Sequence, residues 1–401
     1  MDVKISPFKL DGVIEAVSNK AHAHRVFVAS VLARSQTEIT LKTSFEDIKE
    51  TIDYAKALEY EIENVGDKFT VYPAEEIPET VDIDSGNSLP AFKFMMPVYS
   101  AFGVDLEACL SEKLEKKLKI EEFACLNGVK IKKSNGIFAM SGKLKAGTFY
   151  AEDIKGSWLV SGLMMALAVV DGDSEIICDE NIKNKIYFRQ TISVMRGFGV
   201  RVEETERGIK IFGNQEYKAF GGSVKVEGDY TASAFIMGAN VFGNRVRITG
   251  LNPESVQTDK KIKDLLLTFN AKGTTFDMTG QTELIYVLTA CACFAFSNTQ
   301  IKGCPTEGEE GKSFMAFVNA INKMGATATL CDGTLTVEGK AGIKGGVMVD
   351  CVGDAKIAIT CSLMATVSEE PITLLSVGSA NKLYPNFFNE FKMLGGKCQV
   401  F

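Results

Sequence analysis

The feature that most constrains this 401-residue sequence is that it repeats itself. One pattern recurs: an apolar helix, a turn, a short β-branched strand, a second amphipathic helix, then a small-residue turn and another strand. It is plain in "SEIICDENIKNKIYFRQTISVMRGFGVRVEETERGIKIFG", which turns at Gly199, and in "NTQIKGCPTEGEEGKSFMAFVNAINKMGATATLCDGTLTVEG", which turns at Gly325. It returns at Gly395 and Gly128, and in weaker form near Glu59 and Ala271. With spacings of about 55 to 71 residues, six copies fill the chain. A glycine after a helix suits a left-handed C-terminal cap. The alternation of helix and strand predicts an α/β protein. Two domains of three units, with helices inside and sheets outside, would account for helices as apolar as these, although the sequence alone does not dictate that grouping.

The apolar runs "LVSGLMMALAVV" and "LIYVLTACACFAF" are short for a bilayer and read as buried core helices. No membrane association is expected, and "MDVKISPFKLDGVIEA" lacks the apolar run of a signal peptide. A net charge of −7 argues against a nucleic-acid partner but leaves room for an anionic small substrate, because a few lysines can reverse the field locally. Ten scattered cysteines without a C-x-x-C pair read as reduced core thiols and point to the cytoplasm. Cys291 and Cys293 in particular are expected to pack in a core. The only two histidines, His22 and His24, lack a companion cysteine or carboxylate, so a metal site is not expected there. A solvent-facing place at a helix start is the expectation for both.

Several local motifs carry a more specific signal. Lys20 and Arg25 stand five residues apart in "NKAHAHR"; "DSGNS" runs from Asp84 to Ser88 and "GSWLVSGLMMA" from Gly156 to Ala166. "VEGDYTASAFIMGA" (Val226 to Ala239), "GDAKIAITCSLMA" (Gly353 to Ala365) and "NKLYPNFF" (Asn381 to Phe388) follow. In order and spacing, and over the whole chain, these motifs resemble those of the 5-enolpyruvylshikimate-3-phosphate synthase family. The resemblance implies two inverted α/β prism domains, each of three βαβαββ-type repeats. The first would comprise residues 14–226, inserted into a second made of 1–13 and 227–401. It also implies that phosphoenolpyruvate and shikimate-3-phosphate bind between domains, with no cofactor and no metal, in a cytoplasmic protein expected to be a monomer.

Carried over residue by residue, the resemblance assigns catalysis to Glu283, Glu310, Lys20 and Lys382. It assigns substrate binding to Lys20, Arg25, Asn87, Lys93, Ser157, Tyr187, Lys356 and Lys382. Phosphate and carboxylate groups call for compact cations and forked donors. The chain departs from the family pattern at several of these places: Lys356 and Ser313 stand where the family has arginines, Lys93 replaces another, and Glu309 replaces a lysine. Leu89 replaces a glycine, Trp158 a glutamine, His24 an asparagine and Ala355 a histidine. The implied reaction transfers the enolpyruvyl group of phosphoenolpyruvate to the 5-hydroxyl of shikimate-3-phosphate and expels phosphate. Two alternatives stay open: a homologue that binds a metabolite or partner without this reaction, and an enolpyruvyl transferase acting on a UDP-sugar. The latter uses a loop cysteine. Cys109 lies near the corresponding region, in a segment that reads as an amphipathic helix with a core-facing thiol.

Overall fold

A computed structural model describes residues 1–43, 45–151, 157–178, 186–270, 274–339 and 342–401, without the side chains of Ser157, Ile186 and Asn270. The chain divides into two compact units, residues 18–227 and residues 1–17 with 228–401. The N-terminal boundary thus falls later than the expected 13/14. The strand Asp11–Glu15 pairs in parallel with Arg245–Thr249 as far as Glu15, and the Ala16 N–H donates to the Thr249 carbonyl, which holds the chain to the unit of residues 228–401 up to Val17.

In unit 18–227, three helices form the centre: α1 (Lys20–Ala33), then, beyond the amphipathic α2 (Glu46–Ala57), α3 (Leu89–Phe102) and α4 (Ser157–Leu167). Every residue of α3 from Ala91 to Ala101 is buried. A helix apolar around its whole circumference belongs in an interior, whereas α2 and α5 (Ile186–Gly197) bury one face. Three four-stranded sheets complete the unit. In each, the first strand runs parallel to the second and the last two form an antiparallel hairpin on it. One example is Thr80–Asp84 beside Asp105–Cys109, then Ile137–Gly142 and Val129–Ser134.

The other unit repeats the plan with central helices α6 (Tyr230–Val241), α7 (Glu283–Cys293) and, past the amphipathic α8 (Gly308–Met324), α9 (Ala355–Ala365). It carries two four-stranded sheets and, among the described residues, only a two-stranded third, Asp11–Glu15 with Arg245–Thr249. That third sheet belongs to the repeat that is weak in sequence near Ala271, and among the described residues it has no hairpin. The repeat near Glu59, equally weak in sequence, is complete. The backbone passes between the units twice: from Asp11–Glu15 into α1, and from Ser223–Lys225, paired with Thr37–Thr40, into α6.

Glycine caps follow the expected geometry, with φ of 79° at Gly199, 116° at Gly325 and 93° at Gly395. Glu59 adopts the same left-handed backbone, φ 64°, without being glycine. A side chain there strains the fold, while glycine would loosen the unfolded chain. The net expectation is that Glu59→Gly stabilises by about 0.5–1 kcal/mol, read as a higher urea midpoint; a lower midpoint contradicts the strain.

Candidate active site

In each unit several candidate residues lie at the N-termini of central helices, where exposed backbone N–H groups and the helix dipole favour anions. Small polar side chains fix these ends by accepting N–H bonds: Asn19 for α1, Ser88 for α3, Asp229 for α6 and Asp354 for α9.

In unit 18–227, Lys20 opens α1 and its Nζ donates to Asp47 Oδ2 at 2.7 Å; both side chains are about one-third exposed (32% each). Burial alone would raise the Asp47 pKa, but the bond and charge from Lys20 outweigh it and hold the carboxyl below its ordinary value. Arg25, expected as a substrate fork, is fully buried (0% exposed). Its Nε donates to Thr191 Oγ1 at 2.8 Å, Nη1 to the Ala21 carbonyl at 2.7 Å, and Nη2 to Ser161 Oγ at 3.0 Å and the Tyr187 carbonyl at 3.3 Å. Its charge lies 5.1 Å from the Phe94 ring centroid and 5.8 Å from that of Trp158. Burial lowers its pKa to about 9, leaving it charged at neutral pH. Arg25 therefore organises the interior, with four of its five N–H groups engaged by these bonds.

Lys93 is likewise turned to the interior. It is 5% exposed and forms a buried ion pair with Glu122, itself 8% exposed, so its charge is neutralised inside the fold. Asn87 is exposed, but its backbone N–H and that of Ser88 already donate to Glu50 Oε2, at 2.9 and 2.6 Å. Only the side-chain amide of Asn87 remains to meet a ligand. Gly86, φ 63°, makes this approach possible, since a Cβ there would lie 2.4 Å from Glu50 Oε2. Leu89 is half-buried at the first position of α3. Tyr187 is half-buried, its ring 5.5 Å from that of Trp158. The side chain of Ser157 lies outside the described residues.

His24 is not solvent-facing, and His22 is half-buried on the first turn of α1. His24 is fully buried, shares a 2.8 Å hydrogen bond with Thr51 and stacks at 5.8 Å on Phe94. His22 accepts the Glu227 N–H at 3.1 Å. Burial pushes His22 down to about 4 and His24 to about 3, so both are neutral near pH 7. Among the described residues no group of three or more histidine, cysteine or acidic side chains could hold a metal ion, and no helix is long and apolar enough to cross a membrane. Cys291 and Cys293 are buried in α7, and burial raises both thiols, Cys293 to about 12. Cys109 differs from expectation: it is exposed at the end of the strand Asp105–Cys109, whose alternation turns every second residue outward.

In the other unit, three helix starts meet. Glu283 is the first residue of α7, exposed, with Oε2 3.6 Å from Lys356 Nζ on the first turn of α9. Ser313 of α8 donates to Asp354 Oδ2, the carboxylate that also accepts the Lys356 and Ile357 N–H groups. The Lys356 ammonium lies 4.9 Å from the Tyr286 ring centroid. Glu310 is exposed on the first turn of α8, and Glu309 is engaged by Lys312 at 3.1 Å. Lys382 is exposed at the end of a 3₁₀ turn, Val377–Lys382. Here the arrangement offers a carboxylate that can take a proton beside a cation that can hold an anion. Sequence reasoning passed over Asp47, Glu50, Asp354 and Tyr286. The first two could have been found on the polar side of α2, three residues apart, but nothing in sequence ties them to α1 or α3.

A family model described as EPSP synthase (3-phosphoshikimate 1-carboxyvinyltransferase) matches residues 5–391. A protein of Clostridium novyi (strain NT) named 3-phosphoshikimate 1-carboxyvinyltransferase is 28% identical, covering 98% of both chains. Its namesake in Brachyspira hyodysenteriae is 26% identical over 99% of both. Among solved structures, EPSP synthase from Acinetobacter baumannii aligns over 100% of both chains with a TM-score of 0.82 and 16% identity. The enolpyruvyl transferase NikO from Streptomyces tendae aligns over 99% of this chain and 98% of its own, with a TM-score of 0.77 and 14% identity. The fold is that of the enolpyruvyl transferases.

Proposed function

This chain belongs to the EPSP synthase (3-phosphoshikimate 1-carboxyvinyltransferase) family, and from that premise we propose that it transfers the enolpyruvyl group of phosphoenolpyruvate to the 5-hydroxyl of shikimate-3-phosphate, releasing phosphate. The observation that carries this reading at the level of residues is the pairing of Glu283 with Lys356 at adjoining helix starts, 3.6 Å apart.

The chemistry assigns the roles. The 5-hydroxyl oxygen bonds to C2 of phosphoenolpyruvate while its proton leaves to a base and C3 gains a proton from an acid. The tetrahedral adduct then loses a proton from C3 and breaks the bond to phosphate. Glu283 takes the hydroxyl proton. Lys382, exposed and unburdened by the interior, meets the phosphate and exchanges the C3 proton, with Glu310 as the second carboxyl group. Lys356 holds the phosphoenolpyruvate carboxylate. Lys20, Asn87, Ser157 and Tyr187 receive the anionic sugar substrate, supported by the α1 and α3 dipoles. Lysines offer point charges where a guanidinium would offer a fork, so the affinity for phosphoenolpyruvate should be weak.

Purified protein given both substrates should release phosphate slowly, with a high KM for phosphoenolpyruvate, and neither substrate alone should suffice. No phosphate release at millimolar substrates, with no heat of binding for either, decides for a non-catalytic homologue.

A further inference from the structure

The pairing of Lys356 with Glu283 is the work of a third side chain. Tyr286 sits one turn along α7 from Glu283 and is 2% exposed. Its ring packs against Phe314 at 5.5 Å and Phe317 at 4.8 Å, both on α8. On the remaining side lies the Lys356 ammonium, 4.9 Å from the ring centroid. A long lysine side chain has many rotamers, and two phenylalanines behind one tyrosine leave the ring few. Ser313 of α8 donates to Asp354, the carboxylate that caps α9. Burial, foremost, and the nearby Asp354 charge push the phenol pKa well up, so it stays protonated at neutral pH.

We infer that Tyr286 is a positioning residue for the transfer reaction: its ring face, backed by Phe314 and Phe317, carries the Lys356 ammonium beside Glu283. The inference rests on the proposed function, in which Lys356 holds the phosphoenolpyruvate carboxylate. It explains how one lysine can serve where geometry is demanding. A cation over an aromatic face in a partly desolvated place is held directionally, so a flexible point charge acquires an orientation.

The test is a double-mutant cycle on the whole protein, read as kcat and KM by phosphate release, with a melting temperature for every variant. Tyr286→Leu removes the ring face and should raise the phosphoenolpyruvate KM roughly 5- to 30-fold, the range a desolvated cation–π contact spans. The shikimate-3-phosphate KM should stay as in the wild type. Tyr286→Phe keeps the ring between Phe314 and Phe317 and should hold the phosphoenolpyruvate KM within about 3-fold. In a Lys356→Ala background, Tyr286→Leu should add less than about twofold, because the group it acts through is gone. Effects that multiply in the double variant overturn the inference, as does a Tyr286→Leu protein with unchanged phosphoenolpyruvate KM. Should the leucine variant fail to fold, Tyr286→Phe decides by itself: a KM raised more than about tenfold shows that the ring face is not what matters. A wild type without turnover overturns the proposed function and this inference together, whereas an active wild type with additive effects overturns this inference alone.

Discussion

Glu283→Gln is expected to lower kcat by roughly 10²- to 10⁴-fold, the usual contribution of a positioned acid–base group. Glutamine keeps the shape and the place at the start of α7 but cannot take a proton from the attacking hydroxyl. It also leaves Lys356 without the carboxylate that stands 3.6 Å away. Binding of shikimate-3-phosphate, measured by calorimetry, should stay within about twofold of the wild type, because Glu283 acts on the transferred proton and does not anchor an anion. A variant whose kcat stays within tenfold of the wild type would remove Glu283 from the chemistry and leave Glu310 as the carboxylate to test.

The second large effect concerns stability. Glu122→Ala should destabilise the protein by about 3–5 kcal/mol, since it strands the Lys93 ammonium in an interior without its counterion. The pair is 5% and 8% exposed, so little solvent can enter to compensate. The replacement of both partners together, Lys93→Met with Glu122→Leu, should recover most of the loss, because well-packed apolar residues of similar volume are often no worse than a buried ion pair. Urea denaturation of the three proteins measures this directly. A Glu122→Ala midpoint equal to that of the wild type would show that water reaches Lys93 after all, and would return Lys93 to the list of groups a substrate could meet.

The repeat and the central helices were legible because they depend on local pattern. Runs such as "LVSGLMMALAVV" have no polar face to offer solvent, so their burial in α4 follows from composition alone. The repeat near Glu59 looked weak only because its left-handed turn is built on a glutamate. The places of Lys20, Glu283 and Lys356 at helix starts were accessible through the motifs around them. What could not be read was which charges the protein uses up internally. Glu122 lies in the charged run "LSEKLEKKLKIEEF", where nothing separates it from its solvated neighbours, yet it turns inward to Lys93. Arg25 is satisfied by neutral oxygens from α4 and α5, Ser161 and Thr191, which carry no charge signal in sequence. His24 stands among Phe94, Trp158 and Thr51, brought from three separate segments. A cation's availability is a property of tertiary contacts, and sequence motifs are silent about it.

The insertion of one unit into the sequence of the other also sets an order of events during synthesis. Residues 18–227 form one unbroken stretch, with all three of its sheets closed within it. That unit can complete itself while the ribosome is still translating the rest. The strand Asp11–Glu15, made earlier, has to wait for Arg245–Thr249, and Val3–Ser6 for Ile372–Leu375 and Lys397–Val400. At roughly 5–20 residues per second, Asp11–Glu15 stays unpaired for on the order of 10–50 seconds and Val3–Ser6 for on the order of 20–80 seconds. The nascent chain therefore carries unpaired strands ahead of a finished domain for most of its translation, a window in which a chaperone that shields short extended segments has its task.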